Sequence, residues 1–209
     1  MIRTLKLLFF GAGLAVAPGC AAPSDDSPPA GFTRLFNGHD LTGWKDDGSG
    51  HWRAEDGMIV YDGGGWQPAP NTVFERNLRT EKEYGDFILL IDWKIQKDGN
   101  SGIYLRGELQ VEIWDRTAEV YSSPHGSGGI VGYTVPGRIP LRTVDRPLGE
   151  WNHFEIRVEN ETVTVHLNDQ LVIDRHAAEF KRSEGPIVLQ HHGWPLWFKN
   201  VYVKELAEN

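Results

Sequence analysis

Disulfides are absent from this chain, because Cys20 is the only cysteine among its 209 residues. A transmembrane run is missing too: the apolar stretch near the start is shorter than the about 20 residues that a membrane-spanning helix needs. What the chain does contain is 40% hydrophobic and 11% aromatic residues, with 8 tryptophans. This composition and length predict one globular domain with a substantial core.

Excess positive charge is also lacking. The formal net charge is −8, and it becomes −10 if the N-terminal segment that carries Arg3 and Lys6 is removed. Nucleic acids are bound through stripes of lysine and arginine that neutralise phosphates, and no such stripe is found in the sequence. The sequence therefore predicts no nucleic-acid partner.

The first 20 residues are typical of an export signal. Arg3 and Lys6 precede an apolar run from Leu7 to Val16, and Ala-Pro-Gly-Cys then ends at Cys20. This arrangement resembles a bacterial lipoprotein signal, in which the cysteine is lipidated and becomes the new N-terminus. Ala17 stands where such signals usually have leucine, and an ordinary cleaved secretory signal is the alternative.

The lipoprotein interpretation predicts a chain that is anchored to the bacterial cell envelope through its N-terminal lipid only. Ala21 replaces the aspartate that retains lipoproteins in the inner membrane, so we expect the outer membrane, with a secreted or periplasmic protein as the alternative. Residues 21–31 are rich in Ala, Pro, Ser and Asp, which predicts a flexible tether. One domain over residues 32–206 follows.

Past the tether, the pattern is that of β-strands. Helical periodicity is almost absent, while β-branched and aromatic runs recur between Gly, Pro, Asn and Asp. The predicted strands are Asp86 to Gln96, Gly102 to Arg106, Leu109 to Asp115, Trp151 to Glu159, Thr162 to Leu167, Leu171 to Asp174, Pro186 to His191 and Leu196 to Glu205. They predict an all-β fold, a two-sheet antiparallel jelly-roll sandwich.

Two-residue turns at Asn160-Glu161 and Asn168-Asp169 predict a three-stranded meander from Trp151 to Asp174, because Asn readily adopts positive φ. The segment from Tyr121 to Val144 is different, since its glycines and prolines exclude a regular core strand. We expect it to form a rim over one sheet face, with disorder as the alternative.

Polar side chains interrupt the two strands between Asn100 and Asp115. Strand alternation places Asn100, Tyr104 and Arg106 on one face, and likewise Gln110, Glu112 and Trp114. An aromatic ring, a guanidinium and a carboxylate on adjacent strands are suited to lining a cleft. The alternative is an ordinary solvated sheet face.

Seven motifs, in order, resemble the 3-keto-disaccharide hydrolase domain family, formerly a domain of unknown function. They are F-N-G-H-D-L-T-G-W at 36–44, N-S-G-I-Y-L-R at 100–106, Q-V-E-I-W-D at 110–115, G-E-W-N-H-F-E-I-R-V at 149–158, V-H-L-N-D at 165–169, G-P-I-V-L-Q-H-H-G at 185–193 and W-F-K-N-V at 197–201. The resemblance implies a fold of the concanavalin A-like lectin and glucanase type, with sugar held on one sheet face. It also implies cleavage of glycosides already oxidised at carbon 3.

The chain departs from the family pattern at two positions. The family tends to carry Glu and then Gln on the second motif strand, whereas this chain has Gln110 and then Glu112. Lys199 stands where arginine is common, which replaces a planar fork of donors by a point charge.

Cleavage of a 3-keto-glycoside by elimination and hydration requires a base, an enolate stabiliser and a leaving-group acid. His192 is the candidate base, because imidazole titrates near neutral pH and alternation places it with Gln190, away from His191. Its alternative is a structural hydrogen-bonding role. Arg106 is a candidate for enolate binding or for a salt bridge with Glu108 or Glu112.

Glu112 is a candidate general acid or base, or a partner that holds Arg106. Candidate substrate-binding residues are those whose rings, amides or charges suit a sugar: Asn100, Tyr104, Gln110, Trp114, Gln190, Trp194 and Lys199. His125 and Tyr133 are weaker candidates. No cofactor is predicted, and a divalent metal stays open although no tight ligand spacing such as H-x-x-x-H is found.

The sequence therefore predicts a glycoside-cleaving enzyme that acts on an oxidised carbohydrate substrate. A non-catalytic carbohydrate-binding module on the cell surface would use the same face and is the alternative. A glycosidase with two carboxylates is a weaker hypothesis, because Glu108 and Glu112 lie about 13 Å apart along one strand, farther than that chemistry requires.

Overall fold

The structure is a computed structural model that describes residues 27–207 except 47, 49, 65–76, 119–124 and 133–134. The predicted signal with Cys20, the first part of the tether and Tyr133 lie outside the described residues. The lipid anchor and the envelope location therefore stay predictions. No helix in the described part of the chain is long and apolar enough to cross a membrane.

The described residues form thirteen strands and no helix. In chain order they are β1 Thr33–Arg34, β2 Trp44–Lys45, β3 Trp52–Glu55, β4 Met58–Tyr61, β5 Leu78–Thr80, β6 Phe87–Ile95, β7 Asn100–Leu105, β8 Leu109–Trp114, β9 Asn152–Glu159, β10 Thr162–Leu167, β11 Gln170–Ala177, β12 Val188–His191 and β13 Leu196–Glu205. All eight predicted strands are confirmed, with ends that differ by a few residues.

The strands form two antiparallel sheets. The larger sheet has the order β11-β10-β9-β6-β13-β4-β3, with β1 also paired to β13. The smaller sheet has the order β2-β5-β12-β7-β8. The two-sheet sandwich that the sequence predicted is therefore confirmed.

The meander is confirmed in order, and β9 and β10 have the register that a two-residue turn implies. Val163 lies opposite Val158, and Val165 lies opposite Ile156. Asn160, Glu161, Asn168 and Asp169 all have positive φ, between 46° and 64°, as turns that follow the twist of the strands require.

The core lies between the sheets and follows from strand alternation. In β6 every second side chain from Phe87 to Ile95 is buried, and the side chains between them are half-buried on the outer face. Full burial of such an apolar side chain stabilises the fold by about 1.5–3 kcal/mol. The alternation therefore fixes which face of each strand is left for function.

Candidate active site

The register of the smaller sheet brings the polar residues of three strands together. Gln190 of β12 lies opposite Gly102 of β7, which lies opposite Glu112 of β8; one row along, Tyr104 lies opposite Gln110. Residues directly opposite one another share a face. Because the intervening Leu189, Ile103 and Val111 are buried in the core, these polar residues occupy the outer face.

A chain of hydrogen bonds crosses this face. The Gln110 amide donates to Gln190 Oε1 at 2.5 Å, and the Gln190 amide donates to the Tyr104 hydroxyl at 3.3 Å. Gly102 makes this arrangement possible, since a β-carbon there would overlap the Gln110 amide. Because the Tyr104 oxygen accepts a hydrogen bond, its own proton can be donated to a ligand.

Glu112 is the unusual group of the face. Its Oε2 atom is buried and has no hydrogen-bond partner among the described residues. Burial raises the pKa of the Glu112 carboxyl to about 7, and burial together with the nearby charge of Glu112 raises the pKa of Tyr104. A carboxyl group half protonated at neutral pH can act as a general acid.

His192 follows the end of β12, and its pKa is shifted in the opposite direction from that of Glu112. Its ring stacks on that of Trp194, with centroids 5.8 Å apart and an interplanar angle of 7°. Burial lowers the pKa of His192, so its imidazole is neutral at pH 7 and can accept a proton. His191 points into the core and stacks on Tyr61, as strand alternation predicted.

An additional edge extends the face beyond β8. Gly128 donates its backbone N–H to Glu112 O, Glu112 donates to Gly129 O, and Val131 donates to Gln110 O. Ile130 is fully buried, and Val131 is 41% exposed. No pattern in the sequence indicated Val131 as a site residue. The described part of the predicted rim therefore lies alongside the sheet, where it provides an apolar border next to Gln110.

Arg106 does not lie on this face, which departs from the position that strand alternation predicted for it. β7 ends at Leu105, and Arg106 has a φ of 51° in the turn that follows, so strand alternation no longer applies. Its guanidinium is buried and donates to Asp86 at 2.8 Å and to the carbonyl groups of Gly85 and Arg182. Arg106 thus ties the end of one sheet to the other.

Lys199 is also displaced from the predicted position. It lies in β13 of the larger sheet, next to the buried Phe198, and so points to the opposite outer face of the sandwich. Its ammonium lies 4.2 Å from the ring centroid of Trp151. Lys199 therefore cannot bind a ligand on the face that carries Glu112.

Two other candidates occupy the border of the face. Asn100 begins β7 opposite Trp114. Trp114 is only 8% exposed, and its indole N–H donates to Gly126 O, so its ring supports the additional edge instead of offering an open surface. The backbone carbonyl of His125, a weaker candidate, accepts a hydrogen bond from Thr143.

Metal binding finds no support in the described ranges. No group of three or more His, Cys, Asp or Glu side chains there could hold a metal ion.

The architecture and the site define a jelly-roll β-sandwich with an acid candidate on the outer face of its smaller sheet and a base candidate just past the end of β12. The model of the 3-keto-alpha-glucoside-1,2-lyase-like domain matches residues 31–204, and the chain belongs to this family.

Relatives agree with this assignment. The chain is 26% identical to a 3-keto-disaccharide hydrolase of Bacteroides thetaiotaomicron, over 84% of this chain and 79% of that protein. A crystal structure of a candidate glycosyl hydrolase from Parabacteroides distasonis is similar with a TM-score of 0.66 and 26% identity, covering 85% of this chain and 95% of that one. A Bacillus licheniformis β-glucanase shares the fold alone, with a TM-score of 0.56 and 9% identity over 84% of this chain and 97% of that chain.

Proposed function

We propose that this protein cleaves glycosides whose sugar carries a ketone at carbon 3, by elimination followed by hydration. The observation that carries the proposal is the buried carboxyl oxygen of Glu112 on the outer face of the smaller sheet, which has no hydrogen-bond partner among the described residues and belongs to a group with a pKa near 7. His192, whose pKa burial lowers, follows the end of the neighbouring strand β12. Family membership and the named hydrolase relative support cleavage of a glycosidic bond.

The ketone acidifies the hydrogen on carbon 2. His192 removes this proton, and the C–H electrons form an enolate whose charge lies on the carbon-3 oxygen. The carbonyl at carbon 3 then re-forms, and the electrons make a double bond between carbons 1 and 2 while the bond from carbon 1 to the leaving oxygen breaks. Glu112 donates its proton to that oxygen. Water then adds, with its hydroxyl on carbon 1 and the proton returning from His192 to carbon 2; the other proton of the water restores Glu112. The net result is hydrolysis.

The spacing of the groups supports these roles. Gln190 and Glu112 lie two strands apart, so their Cα atoms are separated by about 10 Å, which leaves room for one sugar ring between the His192 side and the Glu112 side. Tyr104, whose oxygen already accepts from Gln190, can donate to the carbon-3 oxygen as it becomes an enolate. Two groups whose pKa values are shifted in opposite directions are typical of an acid and base pair.

A two-carboxylate mechanism gains no support from the position of Glu108. Its Oε2 atom accepts from the Lys181 backbone, and its Oε1 atom lies 3.8 Å from Arg182. These contacts hold Glu108 at the far end of the β7–β8 hairpin, away from Glu112.

The proposal is tested with nitrophenyl 3-keto-glucoside and with its unoxidised parent. We expect nitrophenol to be released from the keto substrate only, and, in D₂O, deuterium to appear at carbon 2 of the sugar product above the level of an enzyme-free blank. Release from neither substrate would leave a binding module. Release from the parent at an equal rate would indicate an ordinary glycosidase.

The role of Gly102 gives a second test. Gly102→Ala is expected to displace the Gln110 amide from Gln190, because the new methyl group overlaps it. The free energy of unfolding should fall by about 1–3 kcal/mol, and kcat/KM by up to about 100-fold.

The control for Gly102→Ala is the double variant Gly102→Ala/Gln110→Ala, which removes the overlap. Urea denaturation should show its stability largely restored, while kcat/KM stays low because the amide is gone. Recovery of both quantities would show that the hydrogen-bonded chain only supports the fold.

A further inference from the structure

The outer face of the larger sheet carries a second ordered group of side chains, on the opposite side of the sandwich from Glu112. Trp197 of β13 lies opposite Lys94 of β6, and Trp151 directly precedes β9, the other neighbour of β6. Lys199 lies two residues beyond Trp197 on the same face. We call Lys94, Lys199, Trp151 and Trp197 the lysine–tryptophan patch.

The two ammonium groups of the patch converge on the indole rings. Lys94 Nζ lies 4.9 Å from the ring centroid of Trp151 and 4.7 Å from that of Trp197. Lys199 Nζ lies 4.2 Å from the centroid of Trp151. Cation–π contacts of this length hold the lysine stems against the rings and so fix the positions of the two charges.

The charges of the patch lack carboxylate partners in the described structure. Neither lysine lies within 4.0 Å of an Asp or Glu oxygen there. Asp92 is adjacent in the register to Lys199, but its Oδ1 atom contacts His153 at 2.7 Å and its Oδ2 atom accepts from Asn200 at 2.7 Å. Both carboxylate oxygens of Asp92 thus contact other groups, and the ammonium groups of Lys94 and Lys199 can bind an external anion.

Another lysine of the chain shows the contrast. Lys82 lies 5.2 Å from the ring centroid of Tyr84, yet it also forms an ion pair with Glu205 at 2.5 Å. A lysine that merely covers an aromatic ring can therefore be neutralised within this fold. The patch differs because its two lysines share a ring and have no such partner, on a chain whose net charge is −8.

We propose that the lysine–tryptophan patch binds an acidic saccharide, that is, a sugar chain that carries carboxylate groups. Lys94 and Lys199 provide charge-assisted hydrogen bonds to the carboxylates. The half-buried rings of Trp151 and Trp197 provide apolar area against which the carbon face of a sugar can pack. The patch thus forms a second binding surface that is independent of the reaction proposed for the opposite face.

Calorimetric titration with hexagalacturonate at low ionic strength tests the proposal. We expect saturable binding, and binding of the uncharged maltohexaose that is about ten-fold weaker or undetectable. The double variant Lys94→Gln/Lys199→Gln should weaken hexagalacturonate binding about ten-fold or more, because both charge-assisted contacts are lost.

Matched variants separate the patch from general charge effects and from the opposite face. Lys82→Gln removes one positive charge from a similar aromatic contact and should leave the affinity for hexagalacturonate unchanged, and so should Glu112→Gln. The proposal is overturned if hexagalacturonate does not bind, if maltohexaose binds equally well, or if the double lysine variant retains full affinity.

Discussion

Glu112→Gln is expected to reduce kcat on a 3-keto-glucoside by about 10²–10⁴-fold and, at the same time, to make the protein more stable at alkaline pH. The loss of rate follows because an amide cannot donate a proton to the leaving oxygen. The gain in stability follows because the wild-type carboxylate is ionised in a buried position where its Oε2 atom has no hydrogen-bond partner among the described residues. Opposite changes in activity and stability are typical of a strained functional group.

The pH dependence of this gain has a definite sign. Burial raises the pKa of Glu112 from its ordinary 4.5 to about 7 in the folded protein. Below the unfolded pKa the carboxyl group is neutral in both states and does not oppose folding. As the pH rises from 4.5 through the folded pKa of about 7, the free energy of unfolding falls, because the unfolded state ionises more readily. Relative to wild type, Glu112→Gln should therefore be about 2 kcal/mol more stable near pH 8 and equally stable near pH 4, with allowance for partial exposure to solvent.

Urea denaturation at the two pH values, together with kcat measurements, checks this expectation. Glu155→Gln is the matched control, because Glu155 is exposed on the outer face of the larger sheet. Its stability should not change with pH in this way, and its kcat should equal that of wild type. A Glu112→Gln variant that keeps wild-type kcat would remove Glu112 from the mechanism.

Arg106→Ala is expected to have the largest effect on stability, with a loss of about 3–5 kcal/mol of unfolding free energy. The buried guanidinium donates to Asp86, whose other oxygen accepts from the backbone of Asn160, and it lies 4.4 Å from the ring centroid of Phe180. Its removal leaves the Asp86 carboxylate without its cation. Where Arg106→Ala remains folded, at low temperature, its kcat should match that of wild type, since Arg106 does not reach the Glu112 face.

Two further variants confirm the origin of this loss. Arg182→Ala, which removes a half-exposed guanidinium close to the same turn, should cost far less stability. The double variant Arg106→Ala/Asp86→Ala should lose less than the two single variants together, because the uncompensated carboxylate is gone. A fully folded Arg106→Ala protein with a greatly reduced kcat would instead restore a catalytic role.

Much of the fold could be predicted from the sequence because it depends on local rules. The meander from β9 to β11 follows from two Asn-containing turns and from alternating apolar residues. The structure has the implied register between β9 and β10, whereas a bulge shifts the pairing of β10 with β11 beyond His166. The strands β1 to β5 were not predicted. They have two to four residues each, too few for a period-2 pattern to be visible. β1, β2 and β5 are defined by pairing with distant strands, whereas β3 and β4 form a local hairpin through Asp56-Gly57.

The site was predictable to the extent that it follows strand alternation. Tyr104, Gln110, Glu112 and Gln190 share a face as the sequence indicated, because each lies within a regular strand. Arg106 and Lys199 depart from the expected site for two different reasons. Arg106 lies just past a strand end, where its backbone turns, and Lys199 lies on a strand of the other sheet, which alternation within one strand cannot reveal.

By itself, the sequence determined the all-β class, the signal-like N-terminus, the meander and the acid and imidazole groups available for chemistry, since these depend on composition and on neighbours along the chain. Only the tertiary structure decided that Glu112 has a buried oxygen without a hydrogen-bond partner in the described part of the chain, that Gly102 admits the Gln110 amide, and that Lys94 and Lys199 converge on Trp151. Burial and the pairing of charges are set by residues far apart in sequence, and these contacts determine the pKa of an acid and the partner of a cation.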